Sequence, residues 1–251
     1  MVLHFLHGGI TAVVYLPRLG AEGQRRLIQH WAGKLLDILN VRVTLYGQPP
    51  GRQQQATLFV GNHISWLDIY VLKSTHPMLF VAKAEIRDWP VVGWLACKIN
   101  TIFIERERRH ATGRAMAALE QALRQGECLC FFPEGTTTDG TYLRPFKASL
   151  LQAAINAEAQ LWPFAIRYPN ADGSPNTAIA YQGEVTMPQS LWEVLKQREL
   201  QVELHFAAPL AAAGWERRQL AQQARHAISS LLHLPQHKTP GTLDGLPGAS
   251  H

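Results

Sequence analysis

The sequence lacks the long apolar run and the processing signals that would mark a membrane-spanning or exported protein. No uncharged apolar stretch approaches the roughly 20 residues that a transmembrane helix needs. Residues 1–17 are the most apolar stretch, but they contain His4 and His7. They also lack the basic start and the small-residue cleavage site of a signal peptide. We therefore expect this segment to form either a core helix or an interfacial helix.

Cysteine is scarce, and its placement argues against disulfides and zinc. The chain contains Cys97, Cys128 and Cys130. The last two are two residues apart on a predicted strand, so their side chains share one face in a geometry that suits a disulfide poorly. No paired C-x-x-C pattern is present, and we expect no metal site. The interpretation is that all three are reduced core residues in a cytosolic environment.

Charged residues are also few, at 17% of the chain, whereas apolar residues reach 47%. This composition excludes wholesale disorder and provides a sizeable core within 251 residues. The net charge of +5 suits an anionic partner such as a membrane surface, a phosphorylated substrate or nucleic acid. Nucleic acid is the weakest of these, because the cations fall at predicted strand ends rather than along one helix or among stacking aromatics.

Strand and helix patterns alternate along most of the chain. They predict an α/β fold, a single domain at residues 41–234 with a central, largely parallel mixed sheet flanked by helices. Residues 1–40 are predicted to be an N-terminal amphipathic and apolar helical segment that associates with a membrane. Residues 235–251, rich in Pro, Gly and His, are predicted to be a disordered tail.

Residues 24–39 show the clearest amphipathic pattern. Apolar side chains at helical spacing share one face, and these are Leu27, Ile28, Trp31, Leu35, Ile38 and Leu39. Most basic side chains fall on the other face. The pattern is typical of a helix docked on the domain with a solvated basic face. It is also typical of an interfacial helix that inserts Trp and Leu into lipid, and both interpretations stay open.

The stretch around His63 is the strongest candidate for chemistry. Residues 57–60 predict a buried strand, and a helix is predicted to begin at Ser65, a preferred N-cap residue. His63 lies in the turn between them, and Asp68 lies in the first turn of the helix. The carboxyl end of a strand, where the sheet meets a helix, is where α/β proteins usually place their sites. We predict that His63 is a general base whose Nδ1 proton is held by Asp68.

A structural interpretation of the same spacing stays open. Ser65-x-x-Asp68 also resembles a capping box, in which Asp68 would only stabilise the helix start. The chain has no G-x-S-x-G nucleophile motif. A His–Asp pair without its own nucleophile would activate a hydroxyl group supplied by the substrate.

Polar residues follow three other predicted strands. Lys83 follows residues 78–82, Arg106 follows residues 101–104, and Glu134, Gly135 and Thr136 follow residues 127–132. The carboxyl ends of parallel strands meet at one edge of a sheet, so these residues are expected to converge there. Lysine and arginine in such a place bind phosphate or carboxylate groups.

Four motifs, in order, resemble those of the glycerolipid acyltransferase family, which includes bacterial 1-acylglycerol-3-phosphate acyltransferase. The N-H-x-x-x-x-D motif matches residues 62–68. The G-x-x-F-x-x-R motif matches residues 100–106 with Asn100 in place of Gly, and F-P-E-G-T matches residues 132–136, with Thr137 in the variable last place. A proline in an apolar strand matches residues 161–164. The resemblance covers about residues 55–170, and residues 132–150 are most similar to the lyso-ornithine lipid acyltransferase branch.

The resemblance implies roles for the predicted site residues. His63 would be the general base and Asp68 its orienting partner, while backbone N–H groups near Gly135 would be candidate oxyanion donors. The remaining residues share an implied role in binding substrate, and they are Lys83, Arg106, Glu134, Gly135 and Thr136.

The resemblance also implies the reaction and its partners. The expected reaction is acyl transfer from acyl-ACP or acyl-CoA, as co-substrate, to the free hydroxyl of a lysolipid, with 1-acyl-sn-glycerol-3-phosphate as the expected acceptor. Lyso-ornithine lipid is the alternative acceptor, and a non-catalytic lipid-binding membrane protein is the alternative of another class. No metal or other cofactor is implied. The expected location is the cytoplasmic face of the cell membrane, as a peripheral or monotopic protein on anionic lipid.

Overall fold

A mixed sheet organises the fold in the computed structural model, which describes residues 4, 8–51, 54–88, 92–99, 101–104 and 109–234. Within those ranges the strands are β1 (Val41–Gly47), β2 (Thr57–Gly61), β3 (Leu79–Lys83), β4 (Ile102–Ile104), β5 (Cys128–Phe131), β6 (Gln160–Arg167), β7 (Leu200–Phe206) and β8 (Leu210–Ala211). The helices are α1 (Ala21–Ile38), α2 (Leu67–Thr75), α3 (Val92–Lys98), α4 (Arg109–Arg124), α5 (Leu151–Asn156), α6 (Met187–Lys196) and α7 (Arg217–Leu231).

The sheet order is β1-β7-β6-β2-β5-β3-β4, and β8 pairs with β6. Strand β6 is antiparallel to β7 and β8, whereas the other neighbouring strands are parallel. The predicted α/β fold with a largely parallel mixed sheet is therefore confirmed. Because β2, β5, β3 and β4 run in the same direction, their carboxyl ends lie along one edge of the sheet. Of the predicted site residues, His63 follows β2, Lys83 is the last residue of β3, and Glu134, Gly135 and Thr136 follow β5.

The two faces of the sheet are covered by different helices. Every residue of β2 is buried, and its side chains alternate between the faces. Phe59 packs in a cluster with Leu35 of α1 and Val71 of α2. Leu58 packs on the opposite face with Leu119 of α4, in a cluster that also includes residues of α5 and α7. Central strands buried on both faces read as continuous apolar runs, as residues 58–60 do after the buried Thr57.

Helix α1 docks on the domain. Ala32, Leu35 and Leu36 are buried, and the side-chain amide of Gln29 donates to the carbonyl oxygens of residues 74 and 75 at the end of α2. These contacts show that α1 is docked on the rest of the fold, which is one of the two interpretations of its amphipathic pattern. The proposed membrane association of residues 1–40, and the boundary at residue 40, stay predictions.

Some sequence-based expectations need correction or fall outside the described residues. Cys128 and Cys130 are buried, but Cys97 is exposed, so only two of the three cysteines are core residues. The predicted tail at residues 235–251 and the predicted site residue Arg106 lie outside the described ranges. Among the helices that the structure describes, none combines the length and the apolar character needed to cross a membrane.

His76 is a buried histidine, and the folded protein disfavours protonation of its imidazole ring. It is 2% exposed beside the ring of Phe59, and burial lowers its pKa to about 4. An unfolded imidazole titrates near its ordinary pKa of about 6.5. Between these values the unfolded chain binds the additional proton, so this contribution to stability is present above about pH 6.5 and is lost as the pH falls.

We expect His76→Phe to reduce the loss of stability on acidification. Between pH 7.5 and pH 5, the wild-type free energy of unfolding should fall by about 2 kcal/mol more than that of the variant. Urea unfolding at both pH values measures this difference, and a constant packing effect cancels from it. His30→Phe, at an exposed position on α1, is the control. Parallel pH profiles for wild type and His76→Phe would refute the assignment.

Candidate active site

Asn62 fixes the point at which the chain leaves the sheet. Its buried amide donates from Nδ2 to the carbonyl oxygen of Ile166 at 2.9 Å and accepts from the Ile166 N–H at 2.8 Å. Just beyond the end of β2, the Asn62 side chain therefore makes the hydrogen bonds to β6 that the backbone of a longer β2 would make. Gly61 precedes it, where an added Cβ would lie 2.2 Å from the Phe164 ring. The small residue therefore permits the close packing that places the next residue, His63.

The predicted pair of His63 and Asp68 is in direct contact. Nδ1 of His63 lies 2.7 Å from Oδ2 of Asp68. The same oxygen accepts from the backbone N–H groups of Ile64 at 2.7 Å and Ser65 at 3.0 Å. The second oxygen, Oδ1, accepts from the phenolic O–H of Tyr168 at 2.6 Å. A fully buried carboxylate is thus satisfied by hydrogen bonds on both oxygens, as burial requires.

This network assigns the tautomer of His63. A carboxylate offers only acceptors, so the contact with Asp68 requires that Nδ1 carries the proton. In the neutral imidazole Nε2 then presents a lone pair. The His63 side chain is 18% exposed, which leaves a route for a substrate to reach the ring. The arrangement can therefore accept a proton at Nε2 while Asp68 stabilises the imidazolium that forms.

The alternative capping interpretation is correct in part. Helix α2 begins at Leu67 rather than at Ser65, and its N-cap residue has no side-chain cap. The Ser65 hydroxyl is buried and has no hydrogen-bond partner among the described residues. Asp68, not Ser65, satisfies the backbone N–H groups that precede the helix. One carboxylate therefore both stabilises the turn and orients His63.

Tyr168 is a site residue that the sequence analysis missed. It follows β6, so it occupies a strand end like the residues that were predicted. Burial, together with the charge of Asp68 and the hydrogen bond to it, raises the pKa of the phenol well above its usual range. The phenol therefore remains a hydrogen-bond donor. The sequence signal that identifies Tyr168 as a candidate is a polar side chain directly after an apolar strand.

The loop after β5 holds His63 from the other side. The His63 ring stacks on Phe132 with centroids 3.8 Å apart and planes 4° apart. The backbone N–H of His63 donates to Oε1 of Glu134 at 3.1 Å, and its carbonyl oxygen accepts from the N–H of Thr138 at 2.8 Å. Packing and backbone contacts together define the orientation of the ring.

Glu134 joins the loop after β5 to the turn that carries His63. Its Oε2 accepts from the backbone N–H of Arg144 at 2.8 Å, while Oε1 accepts from His63. Burial raises the pKa of Glu134 to about 7, against the opposing effect of these backbone N–H groups. The geometry gives Glu134 a clear role in supporting the His63 loop. Its predicted contact with the acceptor stays a prediction.

A cavity of about 580 Å³ adjoins the dyad. The predicted residues Lys83, Gly135 and Thr136 line it together with His63. Its other walls are largely apolar and include Leu27, Ile28, Trp31, Ile69, Phe80, Ile86 and Ile99. An apolar cavity with a few polar groups at one end suits a ligand that has a hydrocarbon part. The apolar face of α1 thus builds a cavity wall.

The backbone around Gly135 restricts the choice of oxyanion donors. Gly135 has φ of +76°, a conformation that favours glycine. Its N–H donates to the carbonyl oxygen of Phe132 at 3.0 Å, so this group closes a turn.

Lys83 ends β3 and is exposed, and it brings a positive charge to the same cavity. Within the described ranges, no group of three His, Cys, Asp or Glu side chains is placed to hold a metal ion.

An imidazole held by a buried carboxylate at the carboxyl edge of a mixed sheet, beside an apolar cavity, is an arrangement typical of an α/β enzyme. Comparison with known proteins identifies its class. The model of the family described as Acyltransferase matches residues 42–167. The chain belongs to this acyltransferase family, which confirms the resemblance carried by the sequence motifs.

Individual relatives agree with this assignment. The chain is 36% identical over 205 residues to the lyso-ornithine lipid O-acyltransferase of Pseudomonas aeruginosa, covering 82% of this chain and 78% of that one. It is 32% identical over 197 residues to the 1-acyl-sn-glycerol-3-phosphate acyltransferase of Neisseria meningitidis, covering 78% and 76%. The fold is shared with the crystal structure of the LPA acyltransferase PlsC from Thermotoga maritima, with a TM-score of 0.61, 22% identity and coverage of 92% and 94%.

We expect Tyr168→Phe to destabilise the protein by about 1–3 kcal/mol, because it leaves one oxygen of a buried carboxylate without its donor. Urea unfolding measures the change. Tyr142→Phe, at a side chain that is 45% exposed, is the matched control and should leave stability unchanged. Equal stabilities for wild type and Tyr168→Phe would show that the hydrogen bond to Asp68 contributes nothing.

Proposed function

We propose that this acyltransferase moves a fatty acyl group from an acyl-ACP or acyl-CoA thioester to the free hydroxyl of a lysolipid, with His63 as the general base. The single observation that carries the proposal is the 2.7 Å contact of His63 Nδ1 with Asp68. It leaves Nε2 as the basic atom beside an apolar cavity. Membership of the acyltransferase family fits this chemistry.

The proposed reaction requires one base and no nucleophile from the protein. Nε2 of His63 takes the proton of the lysolipid hydroxyl as its oxygen attacks the thioester carbonyl carbon. The C–O bond forms, the tetrahedral intermediate collapses, and the C–S bond breaks. The thiolate that leaves takes the proton from the imidazolium and departs as a thiol. Asp68 holds the ring throughout and stabilises its charged state.

The remaining residues support binding in this proposal. Lys83 is exposed at the end of β3 and lines the cavity, so its ammonium is available for the phosphate of an acceptor. The apolar walls on α1 accommodate a fatty acyl chain. Arg106 is proposed from its sequence motif to bind the acceptor as well. Glu134 supports the reaction by positioning the backbone of His63.

The acceptor proposed is 1-acyl-sn-glycerol-3-phosphate, as the motifs predict and as the name of the Neisseria relative suggests. A second acceptor has support of its own. The Pseudomonas relative, at 36% identity, carries the name of a lyso-ornithine lipid O-acyltransferase. Both acceptors present a hydroxyl to the same base, so the proposed proton transfer is common to them. An assay with both acceptors separates them.

We expect His63→Ala to lower kcat/KM for acyl transfer by about 10²–10⁴-fold, the usual contribution of a general base. The assay pairs lysophosphatidate and lyso-ornithine lipid, in turn, with acyl-ACP and acyl-CoA. His30→Ala, exposed on α1, should retain wild-type turnover. Undiminished turnover in a folded His63→Ala protein would contradict the mechanism.

The same assay addresses the non-catalytic alternative, which the motif departures at Asn100 and Thr137 suggested. Thr137 uses its hydroxyl to contact the backbone carbonyl of Tyr181, so its side chain joins the cavity wall to a neighbouring loop. The intact contact between His63 and Asp68 favours an enzyme. Binding of lysolipid vesicles without turnover on any donor would support the alternative instead.

We also propose that the N-terminal segment rests on an anionic membrane surface. Several apolar side chains there are exposed, namely Ile10, Val13, Val14, Tyr15 and Leu19. Exposed apolar side chains grouped in this way are typical of an interfacial element. The net charge of +5 adds attraction to anionic head groups. The surface would deliver lysolipid to the adjoining cavity.

We expect Val13→Asp to weaken sedimentation with anionic vesicles at least several-fold, because a carboxylate replaces an apolar contact and is repelled by the surface. High salt should weaken wild-type binding through screening. Leu45→Asp, at an exposed apolar position on edge strand β1, is the control. Equal sedimentation of wild type and Val13→Asp would argue against this membrane surface.

A further inference from the structure

A lysine and a tyrosine of α2 share the wall of the apolar cavity. Tyr70 and Lys73 both line it, and they are three residues apart in the helix. Side chains at this spacing lie on the same face of a helix. The proton transfer proposed for His63 gives neither side chain a role. Their polar groups therefore need a separate explanation.

Lys73 is a buried cation. Its side chain is in the last turn of α2, and the residue is 5% exposed. Its Nζ donates to the carbonyl oxygen of Met78 at 3.2 Å and lies 5.1 Å from the centroid of the Phe80 ring. Burial lowers its pKa to about 8, so the amine is mainly protonated at neutral pH. An ammonium has three N–H donors, and the Met78 carbonyl satisfies one of them.

This cation has no counter-charge from the protein. Among the residues that the structure describes, no Asp or Glu forms an ion pair with Lys73. The neighbouring Cys130 is a neutral thiol, because burial raises its pKa well above the usual range. Lysine is almost never fully buried unless it is paired. An anion in the cavity would provide the missing partner.

Tyr70 supplies a second unused donor. Its ring lies beside those of Trp31 and Trp66, with centroids 5.8 Å apart in each case. An indole N–H is a donor only, so neither neighbour can accept the phenolic proton. Within the described ranges the phenol donates to no acceptor. Burial raises the pKa of Tyr70 to about 12, and the hydroxyl therefore keeps its proton at neutral pH.

The setting of these donors selects the kind of anion. The cavity of about 580 Å³ falls within the roughly 300–1,000 Å³ typical of sites for small ligands. Its walls are largely apolar, so an inorganic anion would leave most of them uncovered. Lys73 follows Asp68 by five residues of α2, about 7.5 Å along a helix, and the donors are therefore separate from the dyad. A carboxylate at the end of a hydrocarbon chain satisfies both the donors and the walls.

We propose that the cavity is also a binding site for a free fatty acid, whose carboxylate accepts hydrogen bonds from Lys73 and Tyr70 while its hydrocarbon chain covers the apolar walls. The carboxylate gives the buried ammonium its counter-charge. Binding requires no acyl transfer, so the site goes beyond the proposed function. A bound fatty acid occupies the space proposed for the acyl chain of the thioester, and it should therefore inhibit acyl transfer in competition with the thioester.

The test compares the binding of laurate and dodecanol by isothermal titration calorimetry at neutral pH. The two ligands have chains of equal length, and only laurate is charged. Wild type should bind laurate at least about tenfold more tightly, as expected of hydrogen bonds between charged groups. Lys73→Met retains side-chain length without charge, and it should abolish this preference by weakening laurate binding. Tyr70→Phe lacks only the hydroxyl, and it should reduce the preference about 2- to 10-fold.

Two further lysine variants locate the carboxylate. Lys34→Met, at an exposed position on α1, should leave both affinities unchanged. Lys83→Met removes the exposed cation at the end of β3, and it should retain the preference for laurate. Loss of the preference in Lys83→Met but not in Lys73→Met would place the carboxylate elsewhere in the cavity and overturn the proposal. Equal affinities of wild type for laurate and dodecanol would also overturn it.

The binding test does not depend on turnover. If wild type transfers no acyl group, the proposed function fails, but loss of the laurate preference in Lys73→Met still supports the site. If wild type is active, laurate should raise KM for the acyl thioester without lowering kcat, and less so in Lys73→Met. If Lys73→Met does not fold, Tyr70→Phe decides the question. An unchanged laurate preference in the folded Tyr70→Phe protein would then overturn the proposal.

Discussion

The buried carboxylate of Asp68 is the constraint on which the site depends. It accepts hydrogen bonds from His63, from two backbone N–H groups and from Tyr168, so it connects the turn after β2, the start of α2 and the end of β6. A buried carboxylate without such donors would be costly. The requirement to satisfy Asp68 therefore fixes the local fold and the orientation of the imidazole together.

The apolar cavity depends on a different part of the fold. Helix α1 packs on α2 and contributes to the core through Leu35, while Ile28 on the same helix faces the cavity. The N-terminal segment thus contributes residues to the structural core, to the cavity wall and to the proposed membrane surface. At the other end of the cavity, His63 and Lys83 supply the polar groups. A lipid substrate is expected to have this distribution of apolar and polar parts.

Local patterns allowed much of this to be predicted from sequence. The strand before His63 is a continuous apolar run, and the polar residues after it lie close along the chain, so the contact with Asp68 could be inferred. Tyr168 was missed because its partner is 100 residues away. Lys73 lies in a helix, and its burial depends on tertiary contacts with Met78 and Phe80 that the helical pattern does not show. The sequence predicts the start of α2 two residues early because Ser65 resembles an N-cap residue. In the structure, Asp68 accepts hydrogen bonds from the backbone N–H groups that precede the helix.

In the proposed mechanism, Asp68 holds the proton of His63 on Nδ1 and leaves Nε2 as the base. Nitrogen-15 NMR of labelled imidazoles, with His63 assigned by substitution, tests this directly at a pH where the ring is neutral. We expect Nδ1 to be protonated and Nε2 to be unprotonated, and we expect this tautomer to lose its preference in Asp68→Asn. A neutral His63 ring protonated on Nε2 in the wild-type protein would show that Asp68 does not set the tautomer and that Nε2 is not the base.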